Sequence, residues 1–157
     1  MDARYQPADP DFAVRVRDSF ARQKFMTLLG ATIVRIEPGS VEIEVPFRPD
    51  LTQQHGYFHA GVTSALADTA GGYAGYTLFP ADSSVLTVEF KINLVAPAQG
   101  ERLRARGQVV KSGRTLTVCT LEVFALSGAG QGAEAPKRTL CASGLQTLIC
   151  LHGRPDG

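Results

Sequence analysis

The sequence has no tryptophan, two methionines and only three cysteines, Cys119, Cys141 and Cys150. An odd cysteine count without a CxxC pair supports neither a disulfide framework nor a zinc knuckle. The cysteines read as small apolar core residues of a protein in a reducing, cytoplasmic compartment. Charge of one sign is lacking too. Sixteen Lys and Arg face 15 Asp and Glu, for a formal net charge of +1. That balance gives no electrostatic case for nucleic acid as a partner. No apolar run nears the roughly 20 residues of a membrane helix. The stretch MDARYQPADPDF has no apolar core behind a basic segment, so it does not read as a secretory signal. What is present is 44% hydrophobic residues in a chain of 157. The expectation is one globular domain over 1–157.

Phe12, Val16, Phe20 and Phe25 recur at near-helical spacing, which predicts a helix over about 9–29, closed by Gly30. Ala31 to Glu37 and Val41 to Phe47 alternate around Pro38-Gly39-Ser40, a hairpin signal. After a loop, 60–79 reads as a long helix. Val62, Leu66, Thr69 and Tyr73 form one stripe; Gly61, Ala65, Asp68, Gly72 and Gly75 form an adjoining stripe of small residues. Glycines in a helix cost about 1 kcal/mol each against alanine, so close backbone packing is expected in compensation. Four strands follow, over 84–96, 103–111, 115–126 and 139–151. A low-complexity loop spans 127–136 and a loose tail 152–157. One helix set between runs of strands argues α+β with a mainly antiparallel, curved sheet wrapped on the central helix.

The most informative stretch runs from Gln53-Gln54-His55-Gly56-Tyr57-Phe58-His59-Ala60-Gly61 into the helix that carries Asp68. The first N–H groups of a helix lack internal partners and can polarise a carbonyl. An acid inside a small, apolar helix suits a general base or a nucleophile, although it could also be a helix acid paired with an arginine or a hydroxyl. His55 and His59 precede the helix and have no evident third ligand, so no metal or redox cofactor is expected. Ser64 lacks a nucleophile elbow. Cys119, in an alternating strand, reads as core.

This stretch resembles the signature of PaaI-like (phenylacetate-degradation-type) hotdog-fold acyl-CoA thioesterases. Their pattern is an Asn, a Gly, then His-Gly-Gly opening a helix with an Asp eight residues beyond the first glycine. The likeness extends through Val88-Glu89-Phe90-Lys91-Ile92-Asn93-Leu94-Val95-Ala96-Pro97-Ala98 and the Lys111-Ser112-Gly113-Arg114 turn, covering roughly 26–150. The resemblance implies a hotdog fold assembled as dimers or dimers of dimers. Asp68 takes the place of the catalytic acid. Ala60 stands for the glycine whose N–H polarises the thioester carbonyl, and His59 and Gly61 flank it at the substrate. Gln53 replaces the Asn that orients water or substrate. Thr87 falls where some members have a hydroxyl near the acid. Lys111, Gly113 and Arg114 fall where the CoA phosphates approach, in place of a simply solvated hairpin. The implied substrate is an acyl-CoA or an acyl-carrier-protein thioester.

Ala60 and Asp68 are eight residues apart, a helical rise of roughly 12 Å. Reacting atoms must approach within about 3–3.5 Å. One chain cannot supply both groups to one reaction, so the site is expected at a homodimer interface, twice per dimer. A non-catalytic acyl-CoA sensor and a hotdog dehydratase are the competing expectations.

Overall fold

The computed structural model describes residues 5–128 and 135–156. The helix expected over 9–29 is two helices, α1 (Phe12–Arg22) and α2 (Lys24–Leu29), parted at Gln23, whose ψ of 95° is extended. Gly30, at φ 71°, closes α2 in the left-handed conformation. Strands β1 (Thr32–Glu37) and β2 (Ser40–Pro46) form the expected hairpin. A one-turn 3-10 helix, Pro49–Leu51, leads to α3 (Ala60–Tyr76). Then come β3 (Ser83–Leu94), β4 (Arg102–Ser112), β5 (Leu116–Ser127) and β6 (Lys137–His152). The loop expected over 127–136 falls mostly outside the described residues.

The six strands form one antiparallel sheet in the order β1-β2-β4-β5-β6-β3. The α+β expectation therefore holds: α3 lies on this sheet and meets β2, β3, β4, β5 and β6. Val62, Leu66, Ala67, Ala70, Tyr73 and Ala74 of α3 share one buried cluster with Val41, Ile43, Val45, Leu103, Ala105, Leu121 and Val123. Gly72 and Gly75 of the small-residue stripe, and Gly71 beside it, are of two kinds. A Cβ at Gly71 or Gly75 would meet Leu121 or Leu148 side chains at 2.5 and 2.4 Å, so these glycines do buy close packing. Gly72 has nothing within 4 Å and faces open space. Close approach is matched from the sheet, where a Cβ at Gly107 would lie 2.4 Å from the Ala70 carbonyl group.

The C-terminal end of α3 is held by Arg15, which donates to the carbonyls of Phe79 (2.7 Å) and Tyr76 (3.2 Å) and ion-pairs with Asp9 at 3.0 Å. A cation there complements the helix dipole. The tail expected to be loose is tied to α1: Asp156 takes hydrogen bonds from Ser19 and from Arg22. No helix among the described residues is long and apolar enough to cross a membrane.

Candidate functional site

Asp68 sits midway along α3, half-buried, where the helix crosses beneath β3 and β6. Its Oδ1 accepts a hydrogen bond from Thr87 Oγ1 at 2.7 Å and another from Gln146 Nε2 at 2.6 Å. Gln146 Nε2 also lies 3.0 Å from the Asp68 carbonyl oxygen and 3.0 Å from Thr87 Oγ1. Thr87 reaches the acid because β3 has a bulge. Its register against β6 slips between Thr87 and Glu89, so Thr87 lies opposite buried Leu148, and Phe90 opposite buried Gln146. Without that extra residue, Thr87 would share its face with Glu89 and Lys91. The cleft at Asp68 has a volume of about 470 Å³ and is lined by Phe25, Met26, Ala65, Gly72, Tyr73 and Leu86, among others. Burial raises the Tyr73 hydroxyl above its ordinary range, which keeps this wall of the cleft neutral.

Ala60 belongs to a different cavity, of about 600 Å³, shared with Gln53, His59, Thr63 and the 94–98 segment. Local sequence explains this helix start. The His59 N–H donates to Leu51 O (2.9 Å), and its ring Nδ1 caps the helix by accepting from Gly61 N–H at 2.8 Å. A Cβ at residue 61 would press on that ring nitrogen at 3.0 Å, so glycine at 61 fits the cap. Val62 and Thr63 N–H donate to the His59 carbonyl. Of the N–H groups of residues 59–63, that of Ala60 alone makes no hydrogen bond among the described residues. No non-glycine residue among those described has positive φ, so alanine stands at 60 without backbone strain. Gln53 Oε1 is turned back onto the His55 N–H of its own loop. Cys141, which lines this cavity, is held by burial as a neutral thiol with its pKa pushed up to about 11.

One chain therefore brings Asp68 and Thr87 together, and separately gathers Gln53, His59, Ala60 and Gly61. Lys111, Gly113 and Arg114 are exposed at the β4–β5 turn. Thr87, Leu148, Thr117 and Ser112 lie on one row across β3, β6, β5 and β4. The turn is thus three strand spacings, roughly 14 Å, from Thr87. Gln146 went unread in the sequence. Its signal was a polar residue at an inward position of an apolar strand, between Gly144 and Leu148.

A thioesterase superfamily family model matches residues 55–130. A thioesterase family protein from Silicibacter pomeroyi superposes with a TM-score of 0.84 at 46% identity, covering 90% of this chain and 99% of that one. The E. coli PaaI protein of the phenylacetic acid degradation operon superposes with a TM-score of 0.77 over 94% of this chain and 99% of its own, at 16% identity, a likeness of fold alone. A protein of Saccharolobus solfataricus, provisionally named an esterase, is 30% identical over 94 residues, 60% of this chain and 66% of the relative.

Proposed function

The chain belongs to the thioesterase superfamily and has its hotdog fold, and from that premise we propose that it hydrolyses an acyl-CoA, or an acyl-carrier-protein thioester, at a site shared by two copies of the chain. The observation that carries this reading is the separation of two unfinished halves. One cavity holds an idle N–H at a helix start. Another holds a carboxylate with one oxygen anchored and, among the described residues, no hydrogen bond to the second.

In the proposed reaction the Ala60 N–H of one copy donates to the thioester oxygen, where negative charge grows as the carbonyl carbon is attacked. Asp68 of the other copy either takes the proton from the attacking water or attacks the carbon itself. When Asp68 acts as base, the acyl carbon gains the water oxygen as the carbon–sulfur bond breaks; when Asp68 attacks, a mixed anhydride forms as that bond breaks, and water then cleaves the anhydride to free the acid and Asp68. Either way the departing thiolate takes up a proton. Thr87 holds the carboxylate. Gln53 swings from its loop to orient water or the acyl group, and His59 and Gly61 set the helix start. The Lys111–Arg114 turn meets the CoA phosphates. No metal or redox group enters. The buried free thiols suit a reducing, cytoplasmic setting.

The dimer is supported by the edge strand. β3 pairs only with β6 in this chain and leaves Leu86 (58%), Val88 (56%), Phe90 (40%) and Leu94 (56%) exposed. A long uncovered apolar edge is a template for pairing with another strand. Leu86 also lines the Asp68 cleft, so a second copy laid along β3 would border that cleft. Thiol release, followed across short, long and aromatic acyl-CoAs, tests the reading. Expected is turnover of at least one class by the wild-type protein and turnover lower by about 10²–10⁴-fold in Asp68→Ala. Acyl-CoA binding without thiol release would replace hydrolysis with sensing.

A further inference from the structure

We propose that Gln146 is the positioning residue of the site, holding the Asp68 carboxylate by one oxygen so that the other stays free to react; this rests on the reading of Asp68 as the reacting acid. Gln146 is fully buried on the inner face of β6, between β5 and β3. The orientation of its amide is fixed by its neighbours. Asp68 O and Asp68 Oδ1 can only accept, so the nitrogen must face them. The Thr87 hydroxyl gives its proton to Asp68 Oδ1; the amide has two protons for three acceptors, so the Thr87 oxygen, 3.0 Å from Nε2, shares one of them with Asp68. Two donors converge on Oδ1. The same Nε2 reaches the Asp68 peptide oxygen, so the carboxylate is fixed relative to the helix backbone and not merely to the strand.

The other end of the amide shows what this arrangement costs. Gln146 Oε1 is buried and has no hydrogen-bond partner among the described residues. It lies over Gly71, where a Cβ would come within 1.9 Å of it. The helix gives up a side chain to admit an oxygen that goes unsatisfied. A buried acceptor left unpaired lowers stability, whereas an apolar side chain of the same shape would not. Stability therefore does not explain a glutamine here; the grip on Asp68 does.

Gln146→Met keeps length and bulk and removes the donor. On the acyl-CoA that the wild type turns over fastest, kcat should fall roughly 10- to 100-fold, the size of a lost hydrogen bond to a charged group. KM should stay within about twofold, and Tm should hold or rise because the orphaned oxygen is gone. Unchanged kcat would overturn the proposal, as would a loss of activity that tracks a lowered Tm. Asp68→Ala, measured in parallel, separates the two claims. Retained turnover in Asp68→Ala removes the reading of Asp68. A dead Asp68→Ala beside a fully active Gln146→Met removes only the role of Gln146. A readout independent of turnover is the side-chain amide of Gln146 in ¹⁵N–¹H spectra of the wild type. Its signals should exchange slowly with solvent and shift in Asp68→Asn; signals indifferent to that change would also overturn the proposal.

Discussion

At Asp68 the hydrogen bonds to the acid come from inside the chain, from Thr87 and Gln146 on two neighbouring strands. At Ala60, eight residues away along the same helix, the N–H makes no hydrogen bond among the described residues, while those on either side are occupied by Leu51 and His59. In the proposed reaction the carboxylate is braced to keep its position while bonds change, and the helix start is open to the substrate. Preorganisation would then take two forms in one helix: bracing of a group that must not move, and vacancy at a group that must bind.

The largest test of this contrast is Asp68→Ala. Turnover should drop about 10²–10⁴-fold, the usual worth of a positioned acid or base, with circular dichroism and Tm close to wild type. Next is the vacant donor. Ala60→Pro deletes the N–H, and losing one such donor should cost about 10²–10³-fold in kcat, provided that thermal melts first show the variant folded. These two changes sharpen the comparison when mixed. Ala60→Pro and Asp68→Asn, unfolded and refolded together, should regain up to about a quarter of wild-type activity, since random pairing makes half the dimers mixed, each with one intact site of two. No recovery in well-folded mixed dimers would mean that the two halves do not meet across an interface.

A smaller effect is expected from Thr87→Val, which removes one of two donors to Oδ1. A roughly 10-fold lower kcat at unchanged KM, in steady-state thiol release, would match one charge-assisted hydrogen bond. Smallest is Arg114→Ala at the exposed turn. KM for acyl-CoA should rise roughly two- to fivefold, in keeping with an exposed ionic contact, and a truncated pantetheine thioester should show no change. Equal effects on both thioesters would take the turn out of the binding site.

Periodicity exposed the large elements because each is set by its own residues. The hairpin at Pro38-Gly39, the long helix from Ala60 and the strands after Ser83 all declare themselves locally. The break at Gln23 was not read: the near-helical spacing takes Phe25 into one stripe with Phe20, yet Phe25 is exposed and lines the Asp68 cleft while Met26 is buried. The β3 bulge left no trace in the pattern: Leu86, Val88, Phe90, Ile92 and Leu94 alternate unbroken with Thr87, Glu89, Lys91 and Asn93, and the slip after Thr87 exists only in the pairing with β6. Asp68, Thr87 and Ala60 could be picked out from the resemblance of a short motif. Gln146 could not, because its meaning lies in three hydrogen bonds to residues 59 and 78 positions away. The glycines divided in the same way. Gly72 stood in the small-residue stripe and opens onto the cleft, whereas its neighbour Gly71, outside that stripe, seats the Gln146 oxygen.

The strand order also sets a timetable for synthesis. β3 leaves the ribosome before β4 and β5, yet its neighbour in the sheet is β6. From Leu94 to Lys137 the chain grows by 43 residues, which takes a few seconds at about 5–20 residues per second. Through that interval β3 has an apolar face and two unpaired edges, a period of exposure to chaperones and to other nascent chains. The strand made last closes the sheet and delivers Gln146 in the same step, so a chain cut short within β6 would lose its acid's brace together with the cover of its most adhesive strand.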